Sequence, residues 1–425
     1  MNKENITMDA KRLYALIEER KDELFSLLSS MVKINSESFG SYGNETEMAE
    51  YVLALTKELG LESEIYSPLD LPGFTEHPDY MEGRSLENRP NVTARWRGAE
   101  DHDELLLMAH TDTVRIGARE LWDDDPLSGK IENGRIYGRG ACDDKYAIAA
   151  ALFLIKLLKE EGFTPSKNLV FAAYSDEEYG GSHGALAAVL RTPCPRIISM
   201  DGRDKQIWNC ASGGGEFFYR YHLTAPADSA KNAALAIPTA LGVMDEFAKR
   251  RSEELEANPY YTGTLIPKTS LRYMGVHAGN LGVNLNTGEL HFVHYTDKTR
   301  PEIMAELGEL EKVFAERLAP FGFVSGEFTP ATRFFHYVAT APDSEDILAL
   351  VEAGREAGEE ITVCGSCLSD LSVIGKYGSP NAFAYGAGRD FSLPGGAHQT
   401  NEYIECDRLV KYTQTIGGYI RKVLG

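Results

Sequence analysis

Acids and imidazoles gather at five places in this sequence, and three of those places lie directly behind a short apolar run. His110 follows residues 104–108 (ELLLM), and Asp112 stands two positions further on. A histidine at a strand end can ligate a metal through one ring nitrogen while a nearby carboxylate orients the ring through the other. A buried, hydrogen-bonded histidine of the core would occupy the same place. Asp143 and Asp144 sit in Gly138-Arg139-Gly140-Ala141-Cys142-Asp143-Asp144-Lys145, just before an apolar helical stretch. The glycines permit a tight turn. Carboxylates at a helix N-terminus are favourable with or without a metal, so helix capping is the alternative there.

Asp176, Glu177 and Glu178 follow residues 167–174 (KNLVFAAY). Three adjacent acids behind an apolar strand are costly if buried and unpaired. A surface turn avoids that cost, and a bound cation removes it. Adjacent glutamates can divide the work, one binding metal and one holding a proton. Asp201 ends residues 196–200 (RIISM), and His398 lies in a glycine-rich loop after residues 382–385.

The elements that carry these residues are strands alternating with helical segments. That alternation predicts an α/β sheet covered by helices on both faces, with ligands beyond the carboxyl ends of the strands. A helix is expected over 9–33, with Leu13, Leu16, Ile17, Leu24 and Leu27 on one stripe. A second is expected over 45–59, ending before Gly60. Residues 67–89, rich in proline and charge, read as an irregular surface insertion. Between 213 and about 324 the character changes. Residues 216–223 and 289–295 alternate like half-exposed strands, and helical stretches near 232–250 and 301–318 accompany them. This predicts a small α+β unit inserted at 213–324 into a domain made of 1–212 and 325–425.

Taken in order, His-x-Asp, Gly-Arg-Gly-x-x-Asp-x-Lys, Asp-Glu-Glu-x-Gly, a strand-end Asp and Gly-x-His-x-x-Asn-Glu resemble the dizinc aminoacylase/dipeptidase/carboxypeptidase G family. Arg89-Pro90-Asn91-Val92 and the run from Trp122 through Pro126 and Gly129 to Gly138 extend the resemblance over nearly the whole chain. It implies a mixed-sheet zinc-exopeptidase catalytic domain with an inserted ferredoxin-like lid, which in many members also forms a homodimer. It further implies that Asp143 bridges two divalent ions, zinc first, with manganese or cobalt as alternatives. His110 and Asp201 would complete one ion and Glu178 and His398 the other. Asp112 would orient His110, and Glu177 would be the general base. Histidine and carboxylate donors without thiolate suit zinc. Cys142, beside the bridging aspartate, is read as a small packed residue.

In the lid the sequence departs from the pattern. The family's lid histidine has no counterpart in residues 225–232, which leaves His222 and His277 as candidates. Asn284 stands where a lid asparagine is expected but lacks the proline that usually follows, and Arg300 is the nearest counterpart of the lid arginine. These four are the candidate substrate-binding residues.

Asp201 and the Asp143-Asp144-Lys145 sequence resemble the dipeptidase and tripeptidase branches, so hydrolysis of dipeptides or short peptides is the leading expectation. An N-acyl amino acid deacylase with the same metals is the alternative. A non-catalytic scaffold would be expected to lack Glu177 or a metal ligand, and none is missing.

The bulk numbers agree with such an enzyme. A length of 425 residues is long for one core. A formal charge of −21 argues against nucleic-acid or anionic-membrane partners. The N-terminal residues have no apolar stretch like a signal peptide, and no apolar run is long enough to cross a bilayer. Six scattered cysteines suit a reducing compartment, so a cytoplasmic location is expected. The Cys364–Cys367 pair has no second pair and is read as local packing.

Overall fold

The computed structural model describes residues 9–224, 232–261, 270–280 and 284–425. Two units divide the chain: Met1–Asn209, Ala339–Val363 and Val373–Gly425 form the larger, and Cys210–Val338 with Cys364–Ser372 the smaller.

The centre of the larger unit is a mixed sheet. Its strands run in the order Glu62–Tyr66, Asn91–Trp96, Lys167–Tyr174, Glu100–His110, Arg196–Asp204, Phe383–Gly386 and Gln206–Ala211. The strand Glu100–His110 is parallel to both of its neighbours, with Leu107 opposite Phe171 and Ile198. The strands Asn91–Trp96 and Glu62–Tyr66 add on antiparallel. Parallel strands are covered on both faces and so read as continuous apolar runs. Residues 105–109 and 169–173 are accordingly buried without a break.

The helix Lys145–Glu160 is buried from Lys145 through Ile155, which is why it is apolar all round rather than on one stripe. The expected helix over 9–33 is two helices, Ala10–Glu19 and Lys21–Val32, broken at Arg20. The break lets each present its own stripe. Leu13, Leu16 and Ile17 are buried in the first, and Leu24, Phe25, Leu28, Met31 and Val32 in the second, so Leu27 is left at the edge of the core. Residues 67–89 hold two short 3₁₀ turns, Pro68–Asp70 and Phe74–Glu76.

The smaller unit is a four-stranded antiparallel sheet in the order Leu271–Asn280, Asn284–Thr296, Gly213–Leu223, Phe323–Pro330. With the helices Ala233–Leu255 and Arg300–Leu318 the chain order is βαββαβ, the ferredoxin-like arrangement. Alternate residues Phe217, Tyr219 and Tyr221 of the central strand point into a core with Ala236, Met244, Leu307 and Phe314 of the helices. Among the described residues no helix is long and apolar enough to cross a membrane.

Candidate metal centre

The parallel strands deliver their charged ends to one edge of the sheet. His110 is the last residue of its strand, Asp176 to Glu178 follow Tyr174, and Asp201 lies in the strand Arg196–Asp204. Asp143 comes from the turn that opens the buried helix, through a cis peptide bond to Asp144. His398 comes from the late glycine-rich loop, at a left-handed φ of 62°. Held in that uncommon conformation, the loop is fixed by its surroundings rather than by its own preference.

These five side chains converge. His110, Asp143 and Asp201 bring one ligand atom each within 4.8 Å of one another, and so do Asp143, Glu178 and His398. Asp143 belongs to both groups. Its Oδ1 lies 3.0 Å from His110 Nε2 and its Oδ2 3.2 Å from His398 Nε2. His398 Nε2 also stands 3.1 Å from Glu178 Oε2.

The residues around the donors settle their tautomers and directions. His110 Nδ1 donates to the Asp112 carbonyl oxygen at 2.9 Å, which turns Nε2 toward Asp143. The Asp112 carboxylate is further from the ring, 3.6 Å from Nδ1. Its two oxygens accept the backbone N–H groups of Glu177 and Glu178 at 3.1 and 3.0 Å. Asp112 thus meets the imidazole through its main chain and fixes the acidic turn through its side chain. Glu178 Oε1 accepts the Val114 N–H at 3.0 Å, which aims the other oxygen at His398.

Burial and mutual charge set the protonation of the cluster. Burial lifts the Asp201 carboxyl to about 7, with the neighbouring Asp143 charge adding to it, and burial also raises Glu178. Burial alone would lower His398, but Glu178 and Asp143 outweigh it and push the imidazole up to about 11. His110 is likewise raised, and the two imidazoles hold Asp143 well below the usual carboxylate range against its burial. Three carboxylates thus hold two imidazoles toward their charged form, so the cluster calls for positive charge. A divalent cation, bound by oxygen and nitrogen donors of this kind, supplies it. The donor set fits a metal.

A second layer of charge went unassigned in the sequence. Asp176, fully buried, takes no part in the donor groups. It accepts from Arg84 Nη1 and His183 Nδ1, each at 2.5 Å, and forms an ion pair with Arg89 Nη1 at 2.6 Å. The Met81 N–H donates to His183 Nε2, so Nδ1 is the nitrogen that donates to Asp176. Arg89 also binds Glu45 and Ser38 at 2.7 and 2.8 Å and lies 3.7 Å from Asp112. Glu402, two buried oxygens on one carboxylate, takes Arg139 Nη1 at 2.5 Å and the Cys142 N–H at 2.9 Å. The sequence signals for these were Arg89-Pro90-Asn91 ahead of a strand and Asn401-Glu402 after His398.

The four candidate substrate-binding residues belong to the smaller unit. His222 is exposed on the central strand, its Nδ1 3.2 Å from the Thr287 hydroxyl, and His277 is exposed on the strand Leu271–Asn280. Arg300, exposed, opens its helix. Asn284 begins a strand, and its side chain lies outside the described residues, as do residues 225–231.

Sheet and insert together have the arrangement of a zinc-exopeptidase-like fold. The chain belongs to peptidase family M20/M25/M40, whose model matches residues 106–422. It is 30% identical to a Cys-Gly metallodipeptidase of Schizosaccharomyces pombe over 176 residues, 41% of this chain and 35% of that one. It is 22% identical to the N-formyl-4-amino-5-aminomethyl-2-methylpyrimidine deformylase of Bacillus subtilis over 457 aligned residues, 96% of this chain and 97% of that one. The chain spans 38% of the length of the first curated relatives it matches. In fold it is similar to a tripeptidase from Staphylococcus aureus, with a TM-score of 0.70 at 18% identity, covering 95% of this chain and 98% of that one.

Proposed function

We propose that this chain is a two-metal exopeptidase that hydrolyses dipeptides or short peptides. The observation that carries the reading is that Asp143 is common to two donor groups, each with its own histidine and its own second carboxylate. His110, Asp143 and Asp201 would hold one ion, and Asp143, Glu178 and His398 the other. Zinc fits these donors best, with manganese and cobalt as alternatives. Bound there, the ions would polarise the scissile carbonyl and acidify a water.

The chain's own residues supply the rest. Glu177 takes a proton from the attacking water on its carboxylate and returns it to the leaving amine nitrogen. Asp112, by accepting both N–H groups of the acidic turn, keeps Glu177 and Glu178 in separate roles. His222, His277, Asn284 and Arg300 are the residues of the smaller unit assigned to the substrate. A homodimer through that unit and a cytoplasmic location belong to the same reading. The strand Leu271–Asn280 lies at a sheet edge, and none of the six cysteines is in a disulfide, which supports both.

A deacylase using the same centre is the second reading, favoured by the near full-length match to a deformylase. Metal analysis together with hydrolysis rates on dipeptides and N-acetylated amino acids separates the two. Two ions per chain and turnover of dipeptides are expected. Turnover of the acylated set alone would remove the peptidase reading.

A further inference from the structure

The acidic turn holds three non-glycine residues at a left-handed φ: Asp176 at 62°, Tyr179 at 60° and Ser182 at 61°. Residues other than glycine rarely adopt that conformation, and it persists where the surroundings impose it. Two charged groups grip the turn. The Asp112 carboxylate accepts the N–H groups of Glu177 and Glu178 at 3.1 and 3.0 Å. Arg84 takes the opposite polarity. Its Nη1 donates to Asp176 Oδ1 at 2.5 Å and to the Glu178 carbonyl at 3.5 Å, and its Nη2 donates to the Tyr179 carbonyl at 2.6 Å. An acid thus holds the donors of the turn and a guanidinium its acceptors, on both sides of Glu177 in sequence.

Arg84 is itself fixed. It comes from the irregular stretch 67–89, and its side chain is buried. That stretch also encloses His183, the first residue of the helix His183–Arg191. The Met81 N–H donates to His183 Nε2 at 3.0 Å, and the Phe74 and Tyr80 rings lie 6.1 and 5.0 Å from the imidazole. His183 Nδ1 in turn donates to Asp176 Oδ2 at 2.5 Å. The stretch therefore meets the turn twice, directly through Arg84 and indirectly through His183. Two of the three Arg84 contacts are to main-chain carbonyls, so shape matters as well as charge. The rigid fork reaches a carboxylate and a carbonyl at once, which the point charge of an ammonium does not.

We propose that Arg84 is a positioning residue for the general base, setting the backbone from which Glu177 reaches the attacking water. The proposal rests on the assignment of Glu177 as that base. A carboxylate that takes a proton must lie within hydrogen-bond reach of it. Misplacement by about 1 Å can cost about a hundredfold in rate. Without Arg84 the Glu178 and Tyr179 carbonyls lose this donor, and the left-handed Tyr179 is less constrained. Residues 67–89 thereby serve the reaction through the turn, without touching the substrate.

The test is a double-mutant cycle on the metal-loaded full chain, with Gly-Ala and N-acetylalanine as substrates. Its members are the wild type, Arg84→Met, Glu177→Ala and the pair combined, with kcat corrected for the folded fraction by circular dichroism. Arg84→Met is expected to keep its metal and to lower kcat by about tenfold to a hundredfold, with KM within about twofold. In the Glu177→Ala background the same change should cost no more than about twofold, since the group it positions is gone. Arg84→Lys, run through the same cycle, should restore part of kcat and serves alone if Arg84→Met does not fold. A merely structural role would lower the melting temperature and multiply with Glu177→Ala. Unchanged kcat in both Arg84 variants, or losses that multiply, overturns the proposal. Metal lost from Arg84→Met or Arg84→Lys would assign Arg84 to the Glu178 donor and overturn it too. Full activity of Glu177→Ala overturns the general-base reading, and the proposal with it. No turnover of either substrate by the wild type overturns the hydrolase reading itself.

Discussion

Arg139 and Glu402 form a buried ion pair at 2.5 Å across 263 positions of sequence, and the same carboxylate caps the Cys142 N–H. The turn that presents Asp143 is thereby tied to the loop that presents His398. Removing one member of such a pair leaves the other charge buried and alone. Glu402→Ala is expected to lower stability by about 3–5 kcal/mol, read from urea unfolding. An unchanged midpoint would show that the pair holds nothing.

Asp143 is shared and His398 is not, so their removal should differ in stoichiometry. Asp143→Ala is expected to lose both ions, whereas His398→Ala should keep about one per chain, by elemental analysis after desalting. Equal losses in the two variants would argue against a common ligand.

Glu177 stands in the acidic turn without belonging to either donor group. Glu177→Ala should keep both ions and lose turnover by about 10²–10⁴, the range of a general base. Full activity with metals retained would exclude it from that role.

His294 lies buried in the smaller unit, its Nδ1 3.2 Å from the Ser270 carbonyl. Burial, with Arg251 and Lys298 nearby, lowers its imidazole to about 4. A depressed pKa means that the unfolded chain takes up the proton first as the pH falls. The stability it contributes is therefore present above about 6.5 and lost between 6.5 and 4, by on the order of 3 kcal/mol. His294→Phe should flatten the stability profile in that window when melting is followed against pH. A steeper profile would contradict the sign.

The placement of the charged strand ends was readable from sequence because parallel strands must be apolar along their length. A polar residue that interrupts such a run, as His110, Asp176 and Asp201 do, marks its end. The apolar helix after Asp144 was readable for the same reason. Other features turn on tertiary geometry. A continuous stripe through 9–33 cannot reveal the break at Arg20, since both halves keep helical spacing. The sequence motif His-x-Asp does not say whether the carbonyl or the carboxylate of Asp112 meets the ring. Nor could local pattern pair Asp176 with Arg84, Arg89 and His183, which come from other parts of the chain. The inclusion of Cys364–Ser372 in the smaller unit likewise has no local signature.

The two donor groups also differ in when they are made. Every residue of the first, ending at Asp201, precedes the smaller unit, which starts at Cys210. The second waits for His398, which follows the smaller unit in sequence. Synthesis runs from the N-terminus and domains fold as units. A chain emerging from the ribosome therefore has all three residues of one donor group throughout translation of the insert, and gains the histidine of the other only after the insert is made.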